Sequence, residues 1–369
     1  MKKVLFLIHD LGPGGAEKVL VNLVNNLNTE MFDVTVIALF GGGINEKNLK
    51  SHVHYRAVFP VSIPGNSHIM KLFSPQLLHR LIIKERFDIE VSYLEGPSAR
   101  IISGCKDLST KLVSWIHTEK DSINSVAESF RSYKEAVCCY NRFHKTIGVS
   151  QRVKDAFKKN ANLQHEPIVL YNTNESESIR QMSMELSGIR REPGVINWCG
   201  VGKLVPSKGY DRLLRIQKRL IEEGYRVHFH ALGIGPMQGE LESWCKENGI
   251  ADSVTFWGYK SNPYKYVANC DLFVCASHVE GFSTAATEAL IVGTPVCTVD
   301  VSGMKEMLGE NNEYGIVTTN DEEALFDAVK ELIDEPDKLA FYAEKAKLRG
   351  YFFSKERTIQ EEETMLLDL

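Results

Sequence analysis

The sequence predicts an α/β protein built from two doubly wound parallel sheets. Apolar segments of strand length alternate with segments of helical periodicity along most of the chain. The alternation stops in a polar stretch at 173–195 that ends in Pro-Gly, and it then begins again. At 369 residues the chain is long enough for two domains, each with its own hydrophobic core. We therefore expect an N-terminal domain over 1–180 and a C-terminal domain over 190–350.

The N-terminal half contains seven predicted strands. They lie at 4–8, 34–40, 55–59, 89–94, 112–117, 146–149 and 168–171. Helical periodicity separates most of them and is clearest at 17–27, 74–85 and 127–143. Helices between successive strands are typical of a parallel sheet, because parallel neighbours need a crossover connection.

A glycine-rich turn follows the first predicted strand. Gly12, Gly14 and Gly15 do not have the G-x-G-x-x-G spacing of a dinucleotide site. Counted from Gly12, the last glycine of that motif would stand at position 17, which is Glu17. One interpretation is a tight strand-to-helix turn. The other is a loop whose backbone approaches a phosphate or a sugar at Gly14 and Gly15.

A histidine, His117, ends the fifth predicted strand. A lone histidine in a strand usually belongs to the core or to the surface. The carboxyl ends of buried parallel strands are, however, where open α/β sheets bind ligands. We therefore interpret His117 as a candidate site residue.

The C-terminal half repeats the alternation. Its predicted strands lie at 196–202, 227–232, 254–257, 272–276, 295–299 and 315–317. Its clearest helices lie at 210–223, 322–333 and 337–347. The loop after the first of these strands, residues 202–209, holds Lys203 and Lys208 between glycines. Two such lysines at a strand-to-helix turn can clamp a diphosphate, and solvated surface lysines are the alternative.

Two glutamates, Glu280 and Glu288, flank a second strand-to-helix turn in this half. Ser283 or Thr284 can cap the helix, so that its first free N–H groups and its dipole attract a phosphate. Solvated surface charge is the ordinary explanation for a pair of glutamates. An acid beside an anion-binding turn is better explained if it binds sugar hydroxyls next to a phosphate.

The stretch from Glu280 to Glu288 resembles the E-x7-E signature of the retaining glycosyltransferases of family 4. These enzymes have the GT-B fold, two Rossmann-like domains that face a central cleft. The resemblance covers essentially the whole chain, with its specific motifs between Lys203 and Glu288. Lys203 departs from the family, which usually has Arg there, so bidentate phosphate binding is lost.

The resemblance implies transfer of a sugar, with retention, from a nucleoside-diphosphate sugar to an acceptor hydroxyl. UDP-sugar is the implied donor, with no metal and no further cofactor, and Glu280, His117 and Lys208 are the implied catalytic residues. The implied donor-binding residues are Gly14, Gly15, Lys203, Lys208, Gly233, Gly258, Gly281, Phe282, Ser283, Thr284 and Glu288. The N-terminal domain would bind the acceptor, and a last helix at about 354–369 would pack back on it.

The implied setting is bacterial surface polysaccharide synthesis in the cytoplasm, on a carbohydrate or lipid-linked acceptor. Eight cysteines without a C-x-x-C pair fit a reducing compartment. No apolar run reaches the ~18 residues of a membrane span. Residues 1–185 carry 23 basic and 19 acidic side chains, a small excess that suits an anionic membrane or an acidic acceptor and equally an ordinary solvated surface. Nothing in the sequence is basic or aromatic enough to indicate nucleic acid. The basic segment 71–86 is the candidate membrane surface, and a helix packed on the first sheet is its alternative.

Two other functions remain open at this point. One is a sugar-nucleotide epimerase of the same architecture, against which the E-x7-E stretch favours transfer. The other is a non-catalytic subunit that binds a nucleotide sugar for a partner transferase. The presence of both glutamates, Lys208 and His117 in one chain favours an active enzyme.

Overall fold

The computed structural model describes residues 1–61, 70–301 and 303–369. These residues form two compact units, one of Met1–Asn174 with Glu356–Leu369 and one of Glu175–Lys355. Each unit contains one parallel sheet with helices between its strands. The predicted α/β class is confirmed, as is the number of sheets.

The first unit contains all seven strands that the sequence predicts. They are β1 (Lys2–Ile8), β2 (Phe32–Phe40), β3 (His54–Phe59), β4 (Ile89–Ser92), β5 (Lys111–Ile116), β6 (Lys145–Gly148) and β7 (Ile168–Val169). Their order in the sheet is β3-β2-β1-β4-β5-β6-β7, with every pair parallel. The order reverses between β1 and β4, so the crevice outside their carboxyl ends is the favoured ligand position in this unit.

Helices connect most of the successive strands of the first unit. They are α1 (Gly15–Asn26), α2 (Pro75–Ile82), α3 (Pro97–Ile102), α4 (Ile123–Ala127), α5 (Tyr133–Tyr140) and α6 (Gln151–Asn160). The helix predicted over 127–143 corresponds to α5, but its predicted start is wrong, because α4 ends at Ala127 and α5 begins at Tyr133. Ser132 is extended and accepts a hydrogen bond from the Glu135 N–H, so it caps a new helix. Phe130, between the two helices, is buried.

The second unit contains the other six predicted strands. They are β8 (Ile196–Val201), β9 (Val227–Leu232), β10 (Val254–Gly258), β11 (Leu272–Cys275), β12 (Val296–Val299) and β13 (Ile316–Thr318). Their order is β10-β9-β8-β11-β12-β13, again parallel throughout. Here the order reverses between β8 and β11, the two strands that precede the lysine loop and the Glu280 turn.

The remaining helices cover the second sheet and complete the first unit. They are α7 (Ser176–Ser183), α8 (Tyr210–Glu222), α9 (Gln238–Glu247), α10 (Tyr264–Val267), α11 (Thr284–Val292), α12 (Met304–Leu308), α13 (Glu322–Asp334), α14 (Pro336–Phe352) and α15 (Lys355–Leu367). The aromatic core of the second unit includes Trp198, Phe229 and Phe273, which are almost fully buried. The polar stretch 173–195 contains α7, which belongs to the second unit.

The last helix, α15, is tied to the first unit by polar contacts. The Thr173 hydroxyl donates to Glu362 Oε2 at 2.7 Å and contacts the Thr358 hydroxyl at 3.0 Å. Lys2 Nζ donates to the Leu366 carbonyl oxygen at 3.0 Å. Glu362 is fully buried, and this burial raises the pKa of its carboxyl well above the ordinary value.

The raised pKa of Glu362 makes stability depend on pH. The folded chain holds this proton to a higher pH than the unfolded chain, so the free energy of unfolding should fall as pH rises above about 4.5. Glu362→Gln should remove this loss. In urea unfolding, the free energy of unfolding of the variant minus that of wild type should therefore increase between pH 5.5 and 8. The exposed Glu356 on the same helix provides the control, Glu356→Gln. A constant difference across this pH range would contradict the assignment.

Candidate functional site

The lysine loop and the Glu280 turn meet at the switch point of the second sheet. Lys208 Nζ donates to Glu280 Oε1 at 2.5 Å, and the Ser277 hydroxyl donates to the same oxygen at 2.8 Å. The two loops are also joined by their backbones, since the His278 N–H donates to the Ser207 carbonyl at 2.8 Å. The structure therefore brings two predicted catalytic residues, Lys208 and Glu280, into direct contact. Both side chains keep some exposure to solvent, 30% for Lys208 and 11% for Glu280.

Glycines allow the loops around this pair to pack backbone against backbone. Gly209 has φ +66°, and a Cβ there would overlap the Ala276 carbonyl. Gly233 has φ +142°, and a Cβ there would overlap the Gly202 carbonyl. The Gly233 N–H donates to the Gly258 carbonyl at 3.0 Å, which joins two predicted donor-binding glycines. Lys203, in the same loop, is exposed.

The turn after Glu280 leads directly into α11. Ser283 caps this helix by accepting a hydrogen bond from the Ala286 N–H at 3.3 Å, and Thr284 is its first residue. The capping prediction is thus confirmed for Ser283. Phe282 is buried, with its ring 5.6 Å from that of Phe353. Gly281 precedes it in the turn, and the free N–H groups of the helix begin beyond these two residues.

Glu288 lies on the buried side of α11 and is only 7% exposed. The Tyr264 hydroxyl donates to Glu288 Oε1 at 3.4 Å. Within the described residues, neither Glu280 nor Glu288 is part of a group of three metal-ligating side chains. Tyr264 and Ser277 were missed at the sequence level. Ser277 could have been found as a hydroxyl at the end of the strand before Glu280, whereas Tyr264 carries no motif.

In the first unit, His117 lies at the carboxyl end of β5. Its backbone N–H donates to Glu95 Oε2 at 2.9 Å, and the Thr118 hydroxyl donates to Glu95 Oε1. The imidazole is 8% exposed and lies 4.8 Å from the Tyr93 ring, measured between centroids. Burial lowers the pKa of His117 to about 4, although the nearby Glu95 carboxylate opposes the shift. The side chain is therefore neutral at pH 7.

The Nε2 atom of His117 is buried, and no described residue forms a hydrogen bond with it. The same holds for the hydroxyl of Tyr93 and for Nε1 of Trp115, whose rings lie beside the imidazole. A buried polar atom without a partner costs free energy, so it marks a position where a ligand or a water would be stabilised. His117 is therefore not a fully hydrogen-bonded core histidine, and its role as a site residue stays a prediction.

The glycine-rich turn of the first unit is held by side chains on both sides. Asp10 Oδ1 accepts from the Gly12 N–H at 2.7 Å, and Asn45 Nδ2 donates to the Gly12 carbonyl at 2.5 Å. Gly14 is the N-cap residue of α1, and Gly15 is its first residue. A Cβ on Gly14 would overlap the Glu17 carboxylate. Both sequence interpretations of this turn stay open.

A polar cavity of about 300 Å³ adjoins the loops after β4 and β5 in the first unit. Lys120 Nζ lies 3.7 Å from Glu95 Oε1 at its wall. The cavity is lined by Leu94, Glu95, Gly96, Thr118, Lys120, Ser125, Val126, Glu128, Ser129 and Tyr140. Glu95 was missed at the sequence level, although an acid at the end of a buried strand follows the same rule that singled out His117.

Comparison with known proteins identifies the two halves separately. The family model described as Glycosyltransferase Family 4 matches residues 13–172, and the one described as Glycosyl transferases group 1 matches residues 196–349. A curated relative from Campylobacter jejuni is 27% identical in an alignment 372 positions long, which covers 96% of this chain and 96% of the relative. That relative is named N-acetylgalactosamine-N,N'-diacetylbacillosaminyl-diphospho-undecaprenol 4-alpha-N-acetylgalactosaminyltransferase.

Solved structures share the fold along the full chain. Anabaena HepE in complex with UDP has a TM-score of 0.77 at 20% identity, and the match covers 100% of both chains. The lipopolysaccharide outer core galactosyltransferase WaaB, in its apo form, has a TM-score of 0.75 at 16% identity, also over 100% of both chains. These neighbours confirm the predicted GT-B fold. With family models matching residues 13–172 and 196–349, this chain belongs to the family 4 glycosyltransferases.

Proposed function

We propose that this glycosyltransferase moves a sugar from a UDP-sugar to an acceptor hydroxyl with retention of configuration. The observation that carries the proposal is the contact of Lys208 with Glu280 at the switch point of the second sheet, directly before the N-terminus of α11. That position combines a cation, a carboxylate and aimed N–H groups, which suits a sugar attached to a diphosphate. HepE, which shares the fold, is described in complex with UDP.

The second unit would stabilise the leaving diphosphate. Negative charge gathers on the diphosphate as the bond to the sugar breaks, and Lys208 and Lys203 would offset it together with the N–H groups of Ser283 and Thr284. Donors that are already in place can do this without a metal ion. The buried Glu288, held by Tyr264, would bind the ribose hydroxyls.

Glu280 would act on the transferred sugar. Its carboxylate is fixed by Ser277 and Lys208, so it can oppose positive charge at the anomeric carbon without rearranging. The retaining glycosidase mechanism needs a second carboxylate about 5–5.5 Å away, across the scissile bond. No such pair was identified in the sequence, and we propose front-face attack assisted by the leaving phosphate.

The first unit would bind the acceptor. The cavity beside Glu95 is lined by several hydroxyl groups and by charges of both signs, which suits a polyhydroxylated sugar. His117, which has one unpaired nitrogen in the same unit, stays a proposed catalytic residue that contacts the transferred sugar. Because the Campylobacter relative is named for a diphospho-undecaprenol acceptor, we propose a carbohydrate or lipid-linked acceptor of bacterial surface polysaccharide.

The central experiment incubates the protein with individual UDP-hexoses and UDP-N-acetylhexosamines, with and without lipid-linked and free sugar acceptors. Transfer with retained configuration, read by NMR of the anomeric proton, would support the proposal. Formation of an epimeric nucleotide sugar would indicate the epimerase alternative. Binding without turnover, seen as thermal stabilisation only, would indicate a supporting subunit.

Metal independence gives a direct prediction. We expect the rate of UDP release at 25 °C to be the same in Mg²⁺ and in EDTA, because protein groups rather than a cation would hold the diphosphate. The control is a metal-dependent enzyme assayed in the same buffers. A rate that requires Mg²⁺ or Mn²⁺ would contradict this mechanism.

A membrane contact is the second part of the proposal, and α2 carries it. In the part of the chain that the structure describes, no helix is long and apolar enough to cross a bilayer. Leu78 and Ile82 of α2 are buried, whereas Leu81 of the helix is 55% exposed and Leu72, which lies before the helix, is 76% exposed. This arrangement of buried and exposed apolar side chains suits a helix that also touches lipid.

Three of the five basic residues predicted for this surface are engaged elsewhere. Lys71 Nζ donates to the Glu128 carbonyl at 2.6 Å, His79 contacts Glu90 at 2.8 Å, and Arg86 pairs with Asp107 at 2.9 Å. Arg80 and Lys84 are exposed, without an ion pair to any described residue. These two remain as the cations that would face anionic lipid.

Replacing these two cations should weaken binding to anionic vesicles. Each basic side chain contributes about 1 kcal/mol to the free energy of binding near an anionic surface. Salt should screen this attraction. We expect the double variant Arg80→Gln/Lys84→Gln to sediment less with phosphatidylglycerol vesicles while it retains UDP-sugar hydrolysis. Arg86→Gln, with its side chain paired to Asp107, is the matched control and should have a smaller effect. Sedimentation that depends on neither anionic lipid nor salt would rule out this surface.

A further inference from the structure

A cluster of His79, Glu90 and Cys105 lies in the first unit. It is the one group of three metal-ligating side chains found among residues 1–61, 70–301 and 303–369, with the ligating atoms all within 4.8 Å of one another. His79 belongs to α2, Glu90 to β4, and Cys105 to the loop after α3. None of the three is a predicted donor or acceptor residue.

The burial of the cluster is the second observation. Glu90 is 2% exposed and sits on β4, a strand between β1 and β5, and Cys105 is 3% exposed. An ionised carboxylate buried this deeply is costly unless a cation or several donors compensate it. The Glu90 side chain contacts His79 Nε2 at 2.8 Å. Burial opposes a positive charge on this imidazole, but hydrogen bonds with Cys105 and Glu90 raise the pKa of His79 to about 9. A bound metal ion would replace the His79 proton as the compensating charge and would also use the sulfur.

The spacing of the ligating atoms fits a tetrahedral ion. Bonds of about 2.0 Å to nitrogen and oxygen and about 2.3 Å to sulfur put the ligand atoms about 3.3–3.5 Å apart. The imidazole nitrogen and the carboxylate oxygen are 2.8 Å apart, and no pair in the cluster exceeds 4.8 Å. Coordination would therefore need the nitrogen and the oxygen to separate by about 0.5 Å and any more distant pair to approach by at most about 1.5 Å.

The ligand types select among metals. Thiolate and imidazole favour zinc, whereas magnesium and calcium prefer oxygen ligands throughout. The His79 side chain is 15% exposed, which leaves a route for the ion and room for a water as fourth ligand. We propose that His79, Glu90 and Cys105 bind one zinc ion, which joins α2 and the loop after α3 to the first sheet.

The role of this ion would be structural. The same helix, α2, presents the exposed Leu81 and Arg80, and the exposed Lys84 follows two residues after its end. Zinc would fix the inward face of that helix to β4. Loss of the ion should therefore loosen α2 without removing any residue proposed to bind the donor.

The test uses Co²⁺ as the probe, because its visible spectrum reports tetrahedral sites and thiolate ligands. Metal-stripped protein is titrated with Co²⁺ and then with Zn²⁺, and metal content is measured after dialysis. We expect one Co²⁺ per chain, a thiolate charge-transfer band, displacement by Zn²⁺ and a raised melting temperature. Cys105→Ser should abolish the band, whereas Cys245→Ser, at another buried free cysteine, should keep it.

A second variant protects the test against misfolding of Cys105→Ser. His79→Gln changes a partly exposed side chain and should weaken Co²⁺ binding at least tenfold, with circular dichroism as the check on folding. Wild-type protein that binds no Co²⁺ would overturn the proposal and leave an ion pair beside a buried thiol. A spectrum without the thiolate band, or one unchanged in Cys105→Ser, would overturn it equally.

Discussion

Glu280→Gln is expected to lower the turnover number for sugar transfer by about 100-fold or more, with donor KM changed only a few-fold. The amide keeps the shape of the carboxylate but not its charge, so it cannot oppose positive charge that develops only in the transition state. The variant also releases Lys208 from its ion pair, which leaves this lysine available to phosphate. The measurement is steady-state kinetics of transfer or of donor hydrolysis.

Two companion variants make this result specific. Glu288→Gln should mainly raise donor KM, because its buried carboxylate is proposed to bind the ribose rather than the reacting carbon. Glu240→Gln, at an exposed position of α9, should be neutral. Equal and small effects at Glu280 and Glu288 would refute the roles assigned to them.

Lys208→Ala is expected to lower the turnover number by about 10²–10³-fold at saturating donor. The change removes a charge-assisted contact to the leaving diphosphate and leaves Glu280 with Ser277 as its remaining recorded partner. The unbalanced carboxylate would then repel the diphosphate, so donor affinity should fall as well. Lys203→Arg should be tolerated, since a guanidinium can replace a point charge on phosphate and adds a second hydrogen bond.

The double variant separates the two contributions. If the Glu280 charge causes part of the loss, Lys208→Ala combined with Glu280→Gln should cost less than the sum of the single changes, because the residues are in contact. Strict additivity would mean that Lys208 acts on the donor alone. Near-normal turnover of Lys208→Ala at saturating donor would place the phosphate clamp on other residues.

Periodicity predicted the strands well because parallel sheets are buried on both faces. Every one of the thirteen strands appears in the chain where an apolar run suggested it. The predicted start of the helix at 127–143 was wrong. The helical pattern of the sequence continues across position 132, where the Ser132 side chain caps α5 and so sets its beginning. A capping side chain gives the backbone a hydrogen bond that replaces continuation of the helix. The spacing of apolar residues carries no information about that bond.

The sequence predicted those site residues that belong to recognisable motifs. Lys208 and Glu280 stand in loops that follow the switch-point strands, so sequence and topology both indicated them. Tyr264 contacts Glu288 from a short helix, and no spacing in the sequence relates the two. His79, Glu90 and Cys105 likewise come from three different elements, so only the packed chain brings them together.

The first unit combines the first half of the chain with α15, and this affects the order in which its parts are synthesised. Its core is completed by α15, whose Glu362 accepts a hydrogen bond from Thr173 and whose Leu366 carbonyl accepts one from Lys2. A ribosome releases these last residues only after the whole second unit has been made. The first unit can therefore complete its packing only after the chain of the second unit has been made.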